Sequence, residues 1–314
     1  MAYSEEELCL LADDYRKGLL DDTLPFWLPG CVDLEHGGYL TCRDRDGTLL
    51  DDDKSVWQQG RFAWLLATLY NTVEPREQWL EASASGIDFL RKHCFDDDGR
   101  MFFQTTREGL PLRKRRYFFS ECFAAMALAS HAKASGNEEM AGEAHDLLAK
   151  CLEYYRHPEQ LEPKFTDVRQ QKSIGTPMIL LNVVQQFRAT IGLENAQSLI
   201  DGFIAEIRDD FIKPDMECVM EQVALDGAIV EHFDGLTLNP GHAIECAWFI
   251  LHEAGFRDDK QLLDLGLRML DWMWVRGWDQ QHGGLFYFTH LRGAPVQEYW
   301  QDMKFWWPHN EAET

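Results

Sequence analysis

Glu35-His36-Gly37-Gly38-Tyr39 returns near the far end of the chain as Gln281-His282-Gly283-Gly284-Leu285-Phe286-Tyr287, and a weaker copy, Asp97-Asp98-Gly99-Arg100-Met101-Phe102-Phe103, lies between them. Gly37 and Gly99 are 62 residues apart, and Gly99 and Gly283 are 184 apart, three times about 61. A faint further copy at 221–228, around Leu225-Asp226-Gly227, falls about two periods after Gly99. Self-similarity at a fixed spacing marks a repeat architecture. A unit of this length holds two helices and two loops, and such an α-hairpin has an apolar face that only a stacked neighbour can bury. Glycine supplies positive φ, so each HGG turn is expected to open a short β-hairpin on one rim of the stack.

Helical apolar periodicity between the turns supports this. It covers residues 56–70, 118–132, 176–191, 196–211, 243–254 and 261–275. The 314 residues divide into about five units of this period. The expected fold is all-α: an α/α toroid of the six-hairpin barrel type, with about five of six hairpins present, in a single domain spanning 1–314. An open solenoid is the alternative.

Composition narrows the function. A formal net charge of −23 leaves no basic footprint for nucleic acid or an anionic membrane surface. No run of eighteen apolar residues spans a membrane. The acidic start has no apolar signal core, and the eight scattered cysteines form no CxxC pair. A cytoplasmic protein with reduced thiols and no metal site is expected. Eleven tryptophans exceed ordinary packing needs, and a flat indole face suits the C–H face of a sugar. The one basic cluster, Arg113-Lys114-Arg115-Arg116, is either a solvated loop or a phosphate subsite.

Two segments concentrate chemistry. In Asn239-Pro240-Gly241-His242-Ala243-Ile244-Glu245, Pro240-Gly241 fits a helix start with Asn239 as cap. His242 then sits at the positive end of the helix dipole, which disfavours the imidazolium and leaves a neutral general base. Glu245, one turn on, is placed to orient the ring. In Lys304-Phe305-Trp306-Trp307-Pro308-His309-Asn310-Glu311, one indole can pack while the other stacks on a ligand, with His309 and Glu311 following the turn inward. Arg61, in Trp57-Gln58-Gln59-Gly60-Arg61, is a donor to sugar hydroxyls or a developing oxyanion. Glu121, amid Phe119, Cys122 and Phe123, needs a partner that is either a basic side chain or a ligand hydroxyl.

Together with Asp33-Leu34-Glu35-His36-Gly37-Gly38-Tyr39, Tyr117-Phe118-Phe119-Ser120-Glu121-Cys122-Phe123 and Thr176-Pro177-Met178-Ile179-Leu180-Leu181-Asn182, these motifs run the length of the chain in order. The chain thereby resembles the N-acylglucosamine 2-epimerase family, whose eukaryotic members are also called renin-binding protein. The resemblance implies a homodimeric six-hairpin toroid interconverting N-acetylglucosamine and N-acetylmannosamine by proton abstraction at C2 of the open-chain sugar. It implies catalytic roles for His242, Arg61, Glu245 and Glu311, and substrate contacts from Trp57, Glu121, Met178, Lys304, Trp306, Trp307 and His309. No cofactor is implied for the chemistry. A nucleotide such as ATP is implied only as an activator, and no phosphate-binding loop of the Walker type is present. The 176–182 segment lacks the histidines of the mannose isomerase and cellobiose 2-epimerase branches. Family members continue for about another hairpin past Trp-Trp-Pro-His, through a Lys-Gly…Phe-His-Val-Pro-like motif holding a second catalytic histidine. A chain lacking that C-terminal hairpin is expected to be inactive or impaired. The competing readings are a non-catalytic sugar- or protein-binding paralogue, a mannose isomerase or cellobiose 2-epimerase, and a glycosidase drawing a carboxylate pair from Glu121, Glu245 and Glu311.

Overall fold

The computed structural model describes residues 4–313 and divides into two compact units, residues 1–156 and 157–314. The first opens with α1 (Glu5–Lys17), whose cap is Ser4 in a capping box with Glu7. The backbone stays helical through a π-helical turn at Gly18–Thr23 into α2 (Leu24–Cys31), so 5–31 is one continuous run. Two hairpins follow, α3 (Val56–Thr72) with α4 (Glu77–His93) and α5 (Phe119–Ser135) with α6 (Glu138–Arg156). The second unit pairs α7 (Gly175–Ala189) with α8 (Ala196–Glu206). The single-turn α9 (Phe233–Leu236) precedes a pair formed by α10 (Pro240–Arg257) and α11 (Lys260–Gly277), and α12 (Trp306–Glu313) packs on α10. Leaving out α9 and three single 3-10 turns, the described residues hold ten helical runs, five hairpins' worth.

Within each hairpin the link is short and begins on a left-handed residue where it is tightest, Gly136 after α5 and Asp258 after α10. The links between hairpins are longer and carry every strand among the described residues. In the first unit β1 (Cys42–Arg43) pairs with β2 (Leu49–Asp51), and β3 (Lys54–Ser55), β4 (Phe102–Thr105) and β5 (Pro111–Lys114) make a three-stranded sheet, all pairs antiparallel. In the second, β6 (Lys172–Ser173) pairs with β9 (Gln222–Val223), β7 (Ile212–Lys213) with β8 (Cys218–Val219), and β10 (Thr237–Leu238) with β11 (Thr289–His290). Helices within a hairpin are antiparallel, so each unit's strand-bearing loops share one end of its helices. That is the rim expected from the sequence.

The core follows helix by helix. α5 is buried without a break from Ser120 to Ala132, so its alanines and Cys122 are wrapped on all sides. α7 and α10 are likewise mostly buried, whereas α4, α6 and α11 bury one stripe each. The last predicted stretch of 196–211 departs from a regular helix: Ile207–Phe211 widens into a π-helical turn that buries both Ile207 and Phe211.

Candidate functional site

Asn239 caps α10 as expected: its Oδ1 accepts the His242 backbone N–H at 3.1 Å, with Pro240 in the first turn. Gly241 is required here, because a Cβ would lie 2.6 Å from the Trp307 indole, which packs directly on this turn. Trp307 covers the His242 ring at 5.1 Å and 38°, and Tyr287 meets Trp307 edge-on at 5.9 Å. One turn on, Glu245 shares the half-buried face of α10 with His242 and Trp248. The Trp248 Nε1–H donates to Glu311 Oε2 at 2.7 Å, which ties α12 to this face.

The partner of the His242 ring is Glu221, not Glu245. Nδ1 lies 3.0 Å from Glu221 Oε2 and 3.2 Å from Oε1. Glu221 is itself held by backbone, since its carbonyl accepts the Ile174 N–H at 3.1 Å and the next two residues pair with β6. Asn239 Nδ2 also stands 3.1 Å from Nδ1. One nitrogen cannot donate to a carboxylate and accept from an amide together, and the charged acceptor makes the stronger bond. Nδ1 therefore carries a proton toward Glu221, and Nε2 has no hydrogen-bond partner among the described residues.

This overturns the neutral-base expectation. Burial pulls the imidazolium down, but the Glu221 charge and hydrogen bond, aided by Glu245 and Glu311, outweigh it and push His242 up to about 9. A helix terminus is worth about 0.3–1 kcal/mol. A charge pair at about 4 Å is worth about 4 kcal/mol at an effective dielectric near 20. With the side chain 34% exposed, the carboxylate still prevails. The pair therefore favours the protonated ring at neutral pH.

The His309 and Glu121 side chains serve the fold. In the 33–39 turn, Asp33 N–H donates to the Gly38 carbonyl, and the Asp33 side chain accepts the Glu35 and His36 N–H groups and holds Lys54 at 2.9 Å. The 279–285 turn repeats every bond: Asp279 N–H to the Gly284 carbonyl, the Asp279 side chain to the Gln281 and His282 N–H groups, and Lys304 on Asp279 at 2.9 Å. A side chain from the first turn of the next helix then latches each turn. Gln59 Oε1 accepts the Tyr39 N–H at 2.7 Å, and His309 Nε2 accepts the Leu285 N–H at 2.9 Å. In the weaker copy Glu121 Oε1 accepts the Met101 N–H at 3.0 Å and the Arg100 Nε–H at 2.6 Å. Gly38 (φ +70°) and Gly284 (φ +80°) have no room for a Cβ beside the latch atom.

His309 Nδ1 donates to the Phe305 carbonyl at 2.6 Å, so both its nitrogens are committed to backbone. His309→Gln should therefore keep most of the native stability, as Gln59 does the same work in α3. His309→Ala should cost about 1–3 kcal/mol by stranding the Leu285 N–H. Chemical denaturation checks this, and equal losses in the two variants would refute the latch.

Lys304 lies 3.7 Å over the Phe286 ring besides bracing Asp279. Trp306, expected to face a ligand, is 86% exposed. Met178 is buried in the first turns of α7. In the first unit Trp57 sits in an aromatic cluster with Phe103, Tyr117, Phe119 and Phe123, and Arg61 is exposed with its guanidinium 4.5 Å over Phe123. Within the basic cluster, Lys114 is neutralised by Asp96 and Asp98, and Arg115 lies over Phe103. All eight cysteines are free, and no helix among the described residues is long and apolar enough to cross a membrane.

A sequence profile of N-acylglucosamine 2-epimerase (GlcNAc 2-epimerase) matches residues 38–314. The Bos taurus N-acylglucosamine 2-epimerase is 35% identical over 308 residues, covering 93% of this chain and 71% of the relative. Among solved structures, a D-mannose isomerase superposes with TM-score 0.78 at 18% identity, covering 95% of this chain and 79% of that one. A cellobiose 2-epimerase from Bacillus thermoamylovorans gives 0.77 at 17%, covering 96% and 80%. At such identities the structures show the fold alone, and it is of the α/α-toroid class. With the profile matching nearly the whole chain, the protein belongs to the N-acylglucosamine 2-epimerase family.

Proposed function

We propose that this protein interconverts N-acetyl-D-glucosamine and N-acetyl-D-mannosamine by proton transfer at C2 of the open-chain sugar. The observation that carries the reading is the His242–Glu221 pair under Trp307, in a chain 35% identical to a mammalian N-acylglucosamine 2-epimerase. The C1 aldehyde acidifies the C2 proton, so its removal gives an enolate without any cofactor. His242 rests as the acid and delivers its Nε2 proton to one face of C2. Left neutral, it is the base that takes the same proton back in the reverse direction. One imidazole reaches one face, so inversion requires a second acid–base group on the other. In this reading Glu311 and Glu245 bind sugar hydroxyls beside it, with Trp307 as the apolar wall.

The acylhexosamine reading is preferred to a cellobiose 2-epimerase because the Ruminococcus albus enzyme of that name is 23% identical. ATP enters this proposal only as an activator, and the protein as a cytoplasmic homodimer whose free thiols suit a reducing compartment. The test is turnover of N-acetylmannosamine in D2O. The product should carry deuterium at C2 by NMR, and inversion with hydrogen retained would exclude the mechanism.

A further inference from the structure

We propose that Glu221 is a positioning residue that decides, against Asn239, which nitrogen of His242 carries the proton. The inference rests on the acid–base reading of His242 for its effect on turnover, but not for its effect on the ring.

Two groups compete for Nδ1 at nearly the same distance. Glu221 approaches with both carboxylate oxygens, at 3.0 and 3.2 Å, and the Asn239 amide nitrogen stands at 3.1 Å. The two demand opposite tautomers. A carboxylate requires a proton on Nδ1 and leaves Nε2 with a lone pair once the ring is neutral. An amide N–H requires the lone pair on Nδ1 and forces the proton onto Nε2. Only the first state lets the free nitrogen of the neutral ring accept a proton. The charge on Glu221 decides the contest, and its backbone bond to Ile174 keeps it there.

The other charged and titratable groups facing the ring do not fill this place. Glu245 lies on the ring's own helix and Glu311 on α12, and both act on His242 through their charge rather than through a bond to Nδ1. Tyr287 meets Trp307 edge-on and, among the described residues, makes no hydrogen bond to the ring. Loss of Glu221 therefore hands Nδ1 to Asn239 directly. The neutral ring flips its tautomer, and the imidazolium loses its closest counter-charge.

The test is Glu221→Gln, read first by 15N NMR of the His242 ring in the resting protein. In the parent the neutral ring should be the Nδ1–H form. In Glu221→Gln it should be the Nε2–H form, with the titration midpoint lowered by a unit or more. Epimerisation should fall about a hundredfold or more, as wrong-tautomer variants of other histidine enzymes do. The double variant Glu221→Gln/Asn239→Asp restores a carboxylate at Nδ1 and keeps a good helix cap. It should recover both the Nδ1–H signature and most of the activity. A merely structural Glu221 would not be rescued at Asn239. An unchanged tautomer and midpoint in Glu221→Gln would overturn the proposal, as would an Nε2–H ring in the parent, which needs no variant to fold. If the parent shows the Nδ1–H form and no C2 exchange, the proposed function fails while the assignment of Glu221 stands.

Discussion

His242→Gln is expected to lower kcat for C2 epimerisation by about 10²–10⁴-fold, the usual contribution of a positioned acid–base group. KM should change little, because Glu245, Glu311 and Trp307, the proposed sugar contacts, remain. The fold should survive the change. The cap at the start of α10 uses the His242 backbone N–H, which glutamine also has. Glu221 loses its partner but is 13% exposed, so water can reach it. Steady-state kinetics with a melting curve on the same preparation separate the two effects. A variant of normal Tm and normal kcat would remove His242 from the chemistry.

The largest expected loss of stability lies elsewhere in the second unit. Glu253 on α10 has 0% of its side chain exposed and accepts from Arg188 of α7 at 2.7 and 2.8 Å, from Gln185 at 3.0 Å and from Arg257 at 2.5 Å. Arg257 reaches on to Asp201 of α8 at 2.6 Å. The carboxylate thus ties α10 to α7, and Arg257 carries the link on to α8. Glu253→Ala leaves Arg188 without its counter-charge and Arg257 with only the exposed Asp201, and breaking a buried pair in this way costs about 3–5 kcal/mol. The melting temperature should fall by roughly 5–15 °C. The pH dependence has a definite sign. Burial raises the Glu253 carboxyl, but Arg188, Gln185 and Arg257 override it and hold the group at about 2, below its ordinary 4.5. A lowered carboxylate stabilises fully above its unfolded value, and that contribution is lost as pH falls through the folded one. The gap in Tm between parent and variant should therefore shrink between about pH 4.5 and pH 2, and a gap independent of pH would contradict the network.

The repeat was legible because its punctuation is local. Two glycines at positive φ beside an aspartate are visible in seven residues, and the spacing of Gly37, Gly99 and Gly283 is the spacing of the hairpins. Helices α3, α5, α7, α8, α10 and α11 were legible from their apolar periodicity. In α4 it was missed because small residues thin the stripe. In α4 the buried face includes Ala82, Ser83 and Gly86, with Gly86 bare because the Tyr39 ring lies against it. The face of α6, from Met140 through Leu147 and Leu148 to Leu152, has ordinary spacing and was open to the same reading.

The site divides on the same principle. His242, Glu245, Trp307 and Glu311 stand in short motifs, and the structure puts all four around one helix end. Glu221 is 21 residues from His242 in sequence, and their pairing exists only once β6 and β9 have formed. The faint repeat at 221–228 marked the place but was read as a turn. His309 was read for its chemistry, as imidazoles are, and its backbone N–H partner was hidden because only the folded turn presents it.

The latch has a consequence for how such a chain can change. Its backbone asks for nothing but a lone pair at one spot, and an amide, a carboxylate and an imidazole already answer that demand in Gln59, Glu121 and His309. Folding is thereby indifferent to which of them is chosen. A duplicated hairpin inherits a vacancy with a fixed shape, and reactive groups can be exchanged through it without renegotiating the scaffold.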